Sequence, residues 1–247
     1  MTTTAMKIWI PGGYGMLGSG LADDARAAGH DVVVSGRDVD VADAGDVAVF
    51  IAAHHPAAIV NCAAYTAVDK AESESALAER VNGLAPGVLA AAAATIGARF
   101  VHVSTDYVFS GEGDRPLDEQ MPTAPVSVYG RTKRDGENAA LAASDTTLIV
   151  RTSWLYAATH KNFVRTMLAL MADREQLRVV ADQFGRPTST TTLSQAILAL
   201  LDVGARGIVH VADDTGDAGI SWHDFAVAIR AGAVERGLPM RVQQVEA

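Results

Sequence analysis

The sequence predicts an α/β protein with a doubly wound parallel sheet and a smaller, intertwined C-terminal lobe. Three observations carry this. Short β-branched runs alternate with longer helical stretches, the runs are apolar throughout, and a glycine-rich turn follows the first run. Alternation of that kind marks strand-helix-strand units, and strands without a polar face are those covered by helices on both sides.

In chain order, strands are predicted at 7–10, 31–34, 59–61, 99–103 and 147–150. The helix at 17–28 stops at Gly29, and an alanine-rich helix over 76–95 stops near Gly97, as glycine readily takes the left-handed conformation that ends a helix. Between 111 and 128, Gly111, Gly113, Pro116, Pro122 and Pro125 stand among polar residues, which reads as a long loop. Beyond Arg151 the rhythm loosens into a helix at 163–171, a strand at 177–180 and helices at 193–201 and 221–236. No Gly/Ser linker intervenes. The expected division is therefore 1–152 and 153–247, with part of the second unit packing back on the first.

A chain of 247 residues, 49% hydrophobic and 20% charged, can bury a large core and fits neither a disordered segment nor a coiled coil. The formal net charge of -9 opposes polyphosphate backbones, and no basic face stands out, so no nucleic-acid partner is expected. Cys62 is the single cysteine and is read as a packed thiol in a reducing compartment. No basic, apolar leader opens the chain, and Met6 is a second possible start that makes residues 1–5 a tail. The longest small apolar stretch, 88–94, falls far short of the about 20 residues a bilayer requires. A cytoplasmic protein with no membrane partner is the expectation.

Gly12-Gly13-Tyr14-Gly15-Met16-Leu17-Gly18 lies between the first strand and the first helix. Glycines there tighten the turn and let a pyrophosphate approach the backbone, where helix N–H groups and the helix dipole meet it. This is the phosphate site of a Rossmann dinucleotide-binding domain. After the second strand comes Ser35-Gly36-Arg37-Asp38-Val39-Asp40. Arg37 could pair with a 2′-phosphate, whereas Asp38 or Asp40 could accept ribose hydroxyls. NADPH and NADH both stay open, with a lean to NADPH.

Tyr129 and Lys133 stand four residues apart, on one face of a helix expected over 129–141. An ammonium beside a phenol stabilises the phenolate and suits it to proton transfer. Thr105 ends a strand at the carboxyl edge of the sheet, where its hydroxyl can hydrogen-bond a carbonyl. Trp154 follows the fifth strand on the same edge and could stack on a sugar or base. His54 and His55 lack partners at metal-ligand spacing and read as a surface pair, and His102 reads as a satisfied core group.

Five segments together resemble the dTDP-4-dehydrorhamnose reductase family of extended short-chain dehydrogenase/reductases. They are Asn61-Cys62-Ala63-Ala64-Tyr65-Thr66-Ala67-Val68-Asp69-Lys70-Ala71-Glu72, Ser104-Thr105-Asp106-Tyr107-Val108-Phe109, Tyr129-Gly130-x-x-Lys133, Arg151-Thr152-Ser153-Trp154, and Asp182-Gln183-x-Gly185-x-Pro187-Thr188. The resemblance implies reduction of the 4-keto group of a dTDP-sugar by NAD(P)H. It implies that Tyr129 donates the proton, that Lys133 lowers its pKa and holds the nicotinamide ribose, and that Thr105 polarises the carbonyl. It also implies Gly15, Met16, Leu17, Asp40, Ala63, Ala64 and Tyr65 beside the cofactor, with Asp106 and Trp154 beside the substrate.

Members of that family usually run tens of residues past the position of Ala247, so part of the substrate lobe is expected to be missing. Some members use a glutamate where this chain has Thr190-Thr191-Thr192 to hold a metal at a dimer contact. The expectation is accordingly no metal, and a monomer or weak homodimer. Sugar-nucleotide dehydratases place an acidic pair after the threonine, and Asp106-Tyr107 departs from it. Two alternatives stay open: a catalytically silent cofactor-binding regulatory subunit, and a reductase of another nucleotide sugar.

Overall fold

The computed structural model describes residues 5–113, 116–216 and 219–247. The first four residues of the expected tail and residues 114–115 of the expected loop lie outside them. The chain opens with β1 (Lys7–Pro11), α1 (Met16–Ala27), β2 (Asp31–Ser35), α2 (Ala44–His54) and β3 (Ala58–Asn61). Two single-turn helices, α3 (Val68–Ala71) and α4 (Ser75–Ala78), lead through a π-helical segment, Glu79–Leu84, into α5 (Ala85–Thr95). Next come β4 (Arg99–Thr105), α6 (Val128–Ala143) and β5 (Leu148–Thr152). The C-terminal part holds β6 (Leu155–Tyr156), α7 (Phe163–Asp173), β7 (Leu177–Arg178), β8 (Phe184–Gly185), β9 (Thr188–Ser189) and α8 (Thr190–Asp202). It ends with β10 (Gly207–His210), β11 (Ile220–Ser221), α9 (Trp222–Glu235) and β12 (Val245–Glu246).

The main sheet runs β10-β5-β4-β3-β1-β2, all parallel. From β1 the chain winds outward to β2, then returns to β3 on the other side, so the strand order reverses between β1 and β3. That reversal opens a crevice at the carboxyl ends, where open α/β sheets take their ligands. Alternation within β1 shows why both faces must be covered. Ile8 and Ile10 pack with Leu17 and Leu21 of α1 and Leu193 and Ile197 of α8, while Trp9 points the other way into Val47, Leu89 and Phe100. Each fully buried side chain of that size contributes roughly 1.5–3 kcal/mol.

Two elements from beyond residue 152 return to this sheet. α8 packs on α1, and β10 adds the sixth strand beside β5. β10 was not expected; it is an edge strand whose four residues are only half-buried. A separate core of Met167, Met171, Leu177, Ala226, Val242 and Val245 joins α7, α9 and the C-terminal strand. The strand expected at 177–180 shrinks to two residues paired with β12. The single helix expected over 76–95 is interrupted, because the π-helical turn brings Asn82 inward to a wholly buried position. Among the described residues, no helix is long and apolar enough to cross a membrane.

Candidate active site

The glycine-rich turn is built from contacts that leave no room for side chains. Gly12 has φ +76°, and a Cβ there would meet the Ala63 nitrogen at 2.6 Å. A Cβ on Gly18 would collide with the Gly12 carbonyl. The Gly12 and Gly13 N–H groups donate to the Ser35 carbonyl at 2.9 and 3.1 Å, tying the turn to β2. α1 then starts at Met16 from Gly15, which has no side chain to cap it. Asp43, Ser127, Asn162, Ser189 and Ser221 cap α2, α6, α7, α8 and α9 with side-chain oxygens. The first-turn N–H groups at Met16, Leu17 and Gly18 are thereby left to an external acceptor, which fits a pyrophosphate. The His160 ring reaches the Tyr14 carbonyl at 3.2 Å and brings the C-terminal part of the chain over this turn.

At the end of β2, Asp38 accepts from the Gly36 N–H at 2.7 Å. Asp40 is engaged twice, with Arg80 at 2.5 Å and with the Ala42 N–H at 3.0 Å. The hydrogen bond from Arg80 is the main cause holding the Asp40 carboxyl below its ordinary range. Arg37 is exposed, with no ion pair among the described residues, so it is the cation with charge to offer here.

Ala63, Ala64 and Tyr65 follow β3, and the Ala63 backbone lies against Gly12 of the glycine turn. Asn82 fixes this stretch: its Oδ1 accepts from the Tyr65 N–H at 2.8 Å, and its Nδ2 donates to the Tyr65 carbonyl at 3.0 Å. The Tyr65 hydroxyl is spent on Glu74 at 2.5 Å. Asn82 and Arg80 escaped the reading of the sequence; the available signal was the run Glu79-Arg80-Val81-Asn82, which interrupts an alanine-rich helix with polar groups.

Thr105 ends β4, and its hydroxyl donates to Asp106 at 3.0 Å and accepts from the Tyr107 N–H at 3.2 Å. Burial raises the Asp106 carboxyl to about 6 against the opposing Thr105 hydrogen bond. Ser127 caps α6 and so sets Tyr129 in the first turn, where its ring meets Tyr107 edge-on at 5.5 Å. A Cβ on Gly130 would collide with the Tyr107 carbonyl, and one on Gly136 with the Asn82 carbonyl. These two glycines let α6 lie directly against the backbone around the site.

Tyr129 and Lys133 do occupy one helix face, but the expected coupling between them is corrected by the geometry. Burial pushes Tyr129 up to about 12; the Thr105 hydroxyl opposes this, and Asp106 and Tyr107 add to it. The Lys133 Nζ is turned into the sheet instead, 2.7 Å from the Val103 carbonyl and 3.1 Å from His102 Nε2. A side chain with four methylenes has the freedom to turn away from an i−4 neighbour, which spacing alone does not reveal.

Trp154 has φ +47°, a left-handed conformation uncommon for a bulky residue. Its indole stacks on Trp222 at 3.5 Å and 8°, and it lies so close to Gly185 that a Cβ there would meet the ring at 2.5 Å. The partner Trp222 was not anticipated, since it lies 68 residues further along the chain. The His54 ring lies tilted against Phe50, with centroids 4.3 Å apart, and takes no part in the site.

The RmlD substrate binding domain family matches residues 6–247. The dTDP-4-dehydrorhamnose reductase of Burkholderia thailandensis is 40% identical, over 97% of this chain and 83% of its own. The enzyme of that name from Streptomyces griseus is 46% identical, over 88% of this chain and 73% of its own. Among solved structures, the dTDP-4-dehydrorhamnose reductase of Bacillus anthracis in complex with NADP superposes with a TM-score of 0.91 at 36% identity, covering 97% of this chain and 84% of that one. A glycine turn with an uncapped helix behind it, a threonine, tyrosine and lysine at one sheet edge, and these likenesses together assign the chain to the dTDP-4-dehydrorhamnose reductase family.

Proposed function

We propose that this chain reduces the 4-keto group of dTDP-6-deoxy-L-lyxo-4-hexulose to give dTDP-L-rhamnose, with NADPH or NADH as the reductant. The observation that carries it is the gathering of Thr105, Tyr129 and Lys133 around the end of β4, on the same carboxyl edge of the sheet as the uncapped start of α1. Gly12, Gly13, Gly15, Met16, Leu17 and Gly18 hold the pyrophosphate in this reading. Ala63, Ala64 and Tyr65 line the cofactor's path, and Arg37 favours the 2′-phosphate of NADPH.

A bound nicotinamide supplies the hydride to the keto carbon. Tyr129, raised to about 12, keeps its proton at neutral pH and gives it to the carbonyl oxygen as charge develops there. Thr105 leaves Asp106 Oδ1 to donate a second hydrogen bond to that oxygen. The tyrosinate regains a proton from solvent. Lys133 turns from the sheet to the ribose, and Trp154 with Trp222 offers a flat apolar wall to the sugar nucleotide. The same reading has the protein in the cytoplasm as a monomer or weak homodimer.

A second reading rests on a relative from Streptomyces antibioticus, a probable dTDP-4,6-dihydroxy-2-methyloxan-3-one 4-ketoreductase, 45% identical over 90% of this chain and 75% of its own. It makes another dTDP-keto sugar the substrate, handled by the same three residues. The test is substrate-dependent consumption of NADPH and NADH with freshly generated dTDP-6-deoxy-L-lyxo-4-hexulose, with the sugar product identified chromatographically. Formation of dTDP-L-rhamnose supports the proposal; tight cofactor binding without turnover of any dTDP-keto sugar points to the silent regulatory subunit.

A further inference from the structure

The Lys133 amine ends a buried hydrogen-bonded chain that the reaction as described does not use. Asn61 of β3 and His102 of β4 are register partners, so their side chains stand next to each other under α6. Both are wholly buried. The Ala63 N–H donates to Asn61 Oδ1 at 3.0 Å, and Asn61 Nδ2 lies 3.1 Å from His102 Nδ1. His102 Nε2 lies 3.1 Å from Lys133 Nζ, which donates to the Val103 carbonyl at 2.7 Å.

The backbone fixes the polarity of this chain at both ends. An amide N–H can only donate and a carbonyl can only accept. With its oxygen facing Ala63, Asn61 turns its NH2 to the ring, so His102 Nδ1 must accept. A neutral imidazole then carries its proton on Nε2, aimed at Lys133. An ammonium there has three donors and no lone pair, so N–H would face N–H. Moving the ring proton to Nδ1 sets it against the Asn61 NH2, and turning that amide strands the Ala63 N–H. An imidazolium fails at both ends. Only the free amine of Lys133 satisfies every group.

We propose that His102 is a positioning residue: in the cofactor-free protein its Nε2–H holds Lys133 as the free amine, withdrawn into the sheet, and Lys133 takes up a proton from solvent when it moves to the cofactor ribose. The second half rests on the cofactor reading above. The groups facing Lys133 are Cys62 after β3, His102 on β4 and Glu137 on α6, with Arg151 of β5 holding Glu137. Burial lowers Lys133 from 10.5 to about 8, against the pull of Glu137 and Cys62, so the free amine is the main form above that pH. Burial, then Lys133, pushes His102 well below its ordinary value, which keeps the ring neutral.

Nitrogen-15 NMR of histidine-labelled, cofactor-free protein reads the tautomer directly, with the His102 ring assigned by its loss in His102→Asn and His102→Gln. The expected spectrum at pH 8.5 has the proton on Nε2; an Nδ1–H tautomer or an imidazolium overturns the proposal whether or not the protein is a reductase. A ring of the expected tautomer in a protein without turnover sinks the reductase reading alone. As a second measurement, the NADPH dissociation constant is followed against pH by fluorescence. Affinity should weaken above pH ~8, approaching tenfold per unit. His102→Asn keeps an acceptor for Asn61 but cannot reach Lys133, so the limb should move about one unit higher; His102→Gln should restore it. An unmoved limb in a folded His102→Asn protein overturns the proposal. If neither variant folds, the wild-type limb decides, since affinity flat between pH 7 and 9.5 contradicts proton uptake.

Discussion

Arg151 of β5 grips Glu137 of α6 with two hydrogen bonds, Nε to Oε1 at 2.9 Å and Nη2 to Oε2 at 2.7 Å, and both side chains are almost wholly buried. Glu137 lies one turn after Lys133 and two after Tyr129, so this clamp sets the helix that carries both. Arg151 also lies 5.1 Å from the centre of the Phe109 ring. Removing one partner of a buried pair leaves the other uncompensated. Arg151→Ala and Glu137→Ala should each cost about 3–5 kcal/mol in urea unfolding. The double variant should cost less than the sum. Additive losses would argue against a coupled pair.

Tyr129→Phe keeps the ring and its edge contact with Tyr107 but removes the proton. kcat should fall on the order of 10²–10⁴-fold while NADPH binds as before. Retention of full turnover would falsify the assignment of Tyr129 as proton donor.

Lys133→Met tests the cost of burying an amine. The folded value of about 8 lies below the ordinary 10.5, so the unfolded state binds more protons between them. Wild-type stability should rise over that interval, by on the order of 3 kcal/mol, and Lys133→Met should lack this rise. Thermal unfolding of the two proteins from pH 7 to 10.5 gives the comparison, and parallel curves would rule out a strongly perturbed lysine.

Asp106 has the opposite sign. Its folded value of about 6 exceeds the ordinary 3.8, so the folded state binds more protons between those limits and loses stability as pH rises through them. Asp106→Asn should therefore gain in melting temperature over wild type at pH 8, and the gain should shrink toward pH 4. A difference independent of pH would mean that the carboxylate is not desolvated.

Gly136→Ala adds one methyl where α6 meets the Asn82 carbonyl. The helix must shift outward, and Asn82 loses its hold on Tyr65. Stability should drop by about 1–3 kcal/mol, with turnover falling further than the loss of folded protein accounts for. Circular dichroism melts and assays on the same preparation separate the two effects.

The order of the strands through β5, the glycine turn and the residues that meet at the carboxyl edge of the sheet were legible in the sequence, because each is local. Apolar runs report burial, glycines report a backbone approached too closely for a side chain, and Thr105, Tyr129 and Lys133 have chemistry that belongs to their residue types. The tertiary structure decided what those groups touch. It returned α8 and β10 to the first sheet, put Trp222 on Trp154, and tied Asp40 to Arg80. Above all it turned Lys133 away from Tyr129 and onto His102. The physical reason is range: local pattern follows from neighbours within a turn of helix or a step of strand. A flexible side chain instead settles on whichever buried donors and acceptors the packing of distant segments leaves within reach.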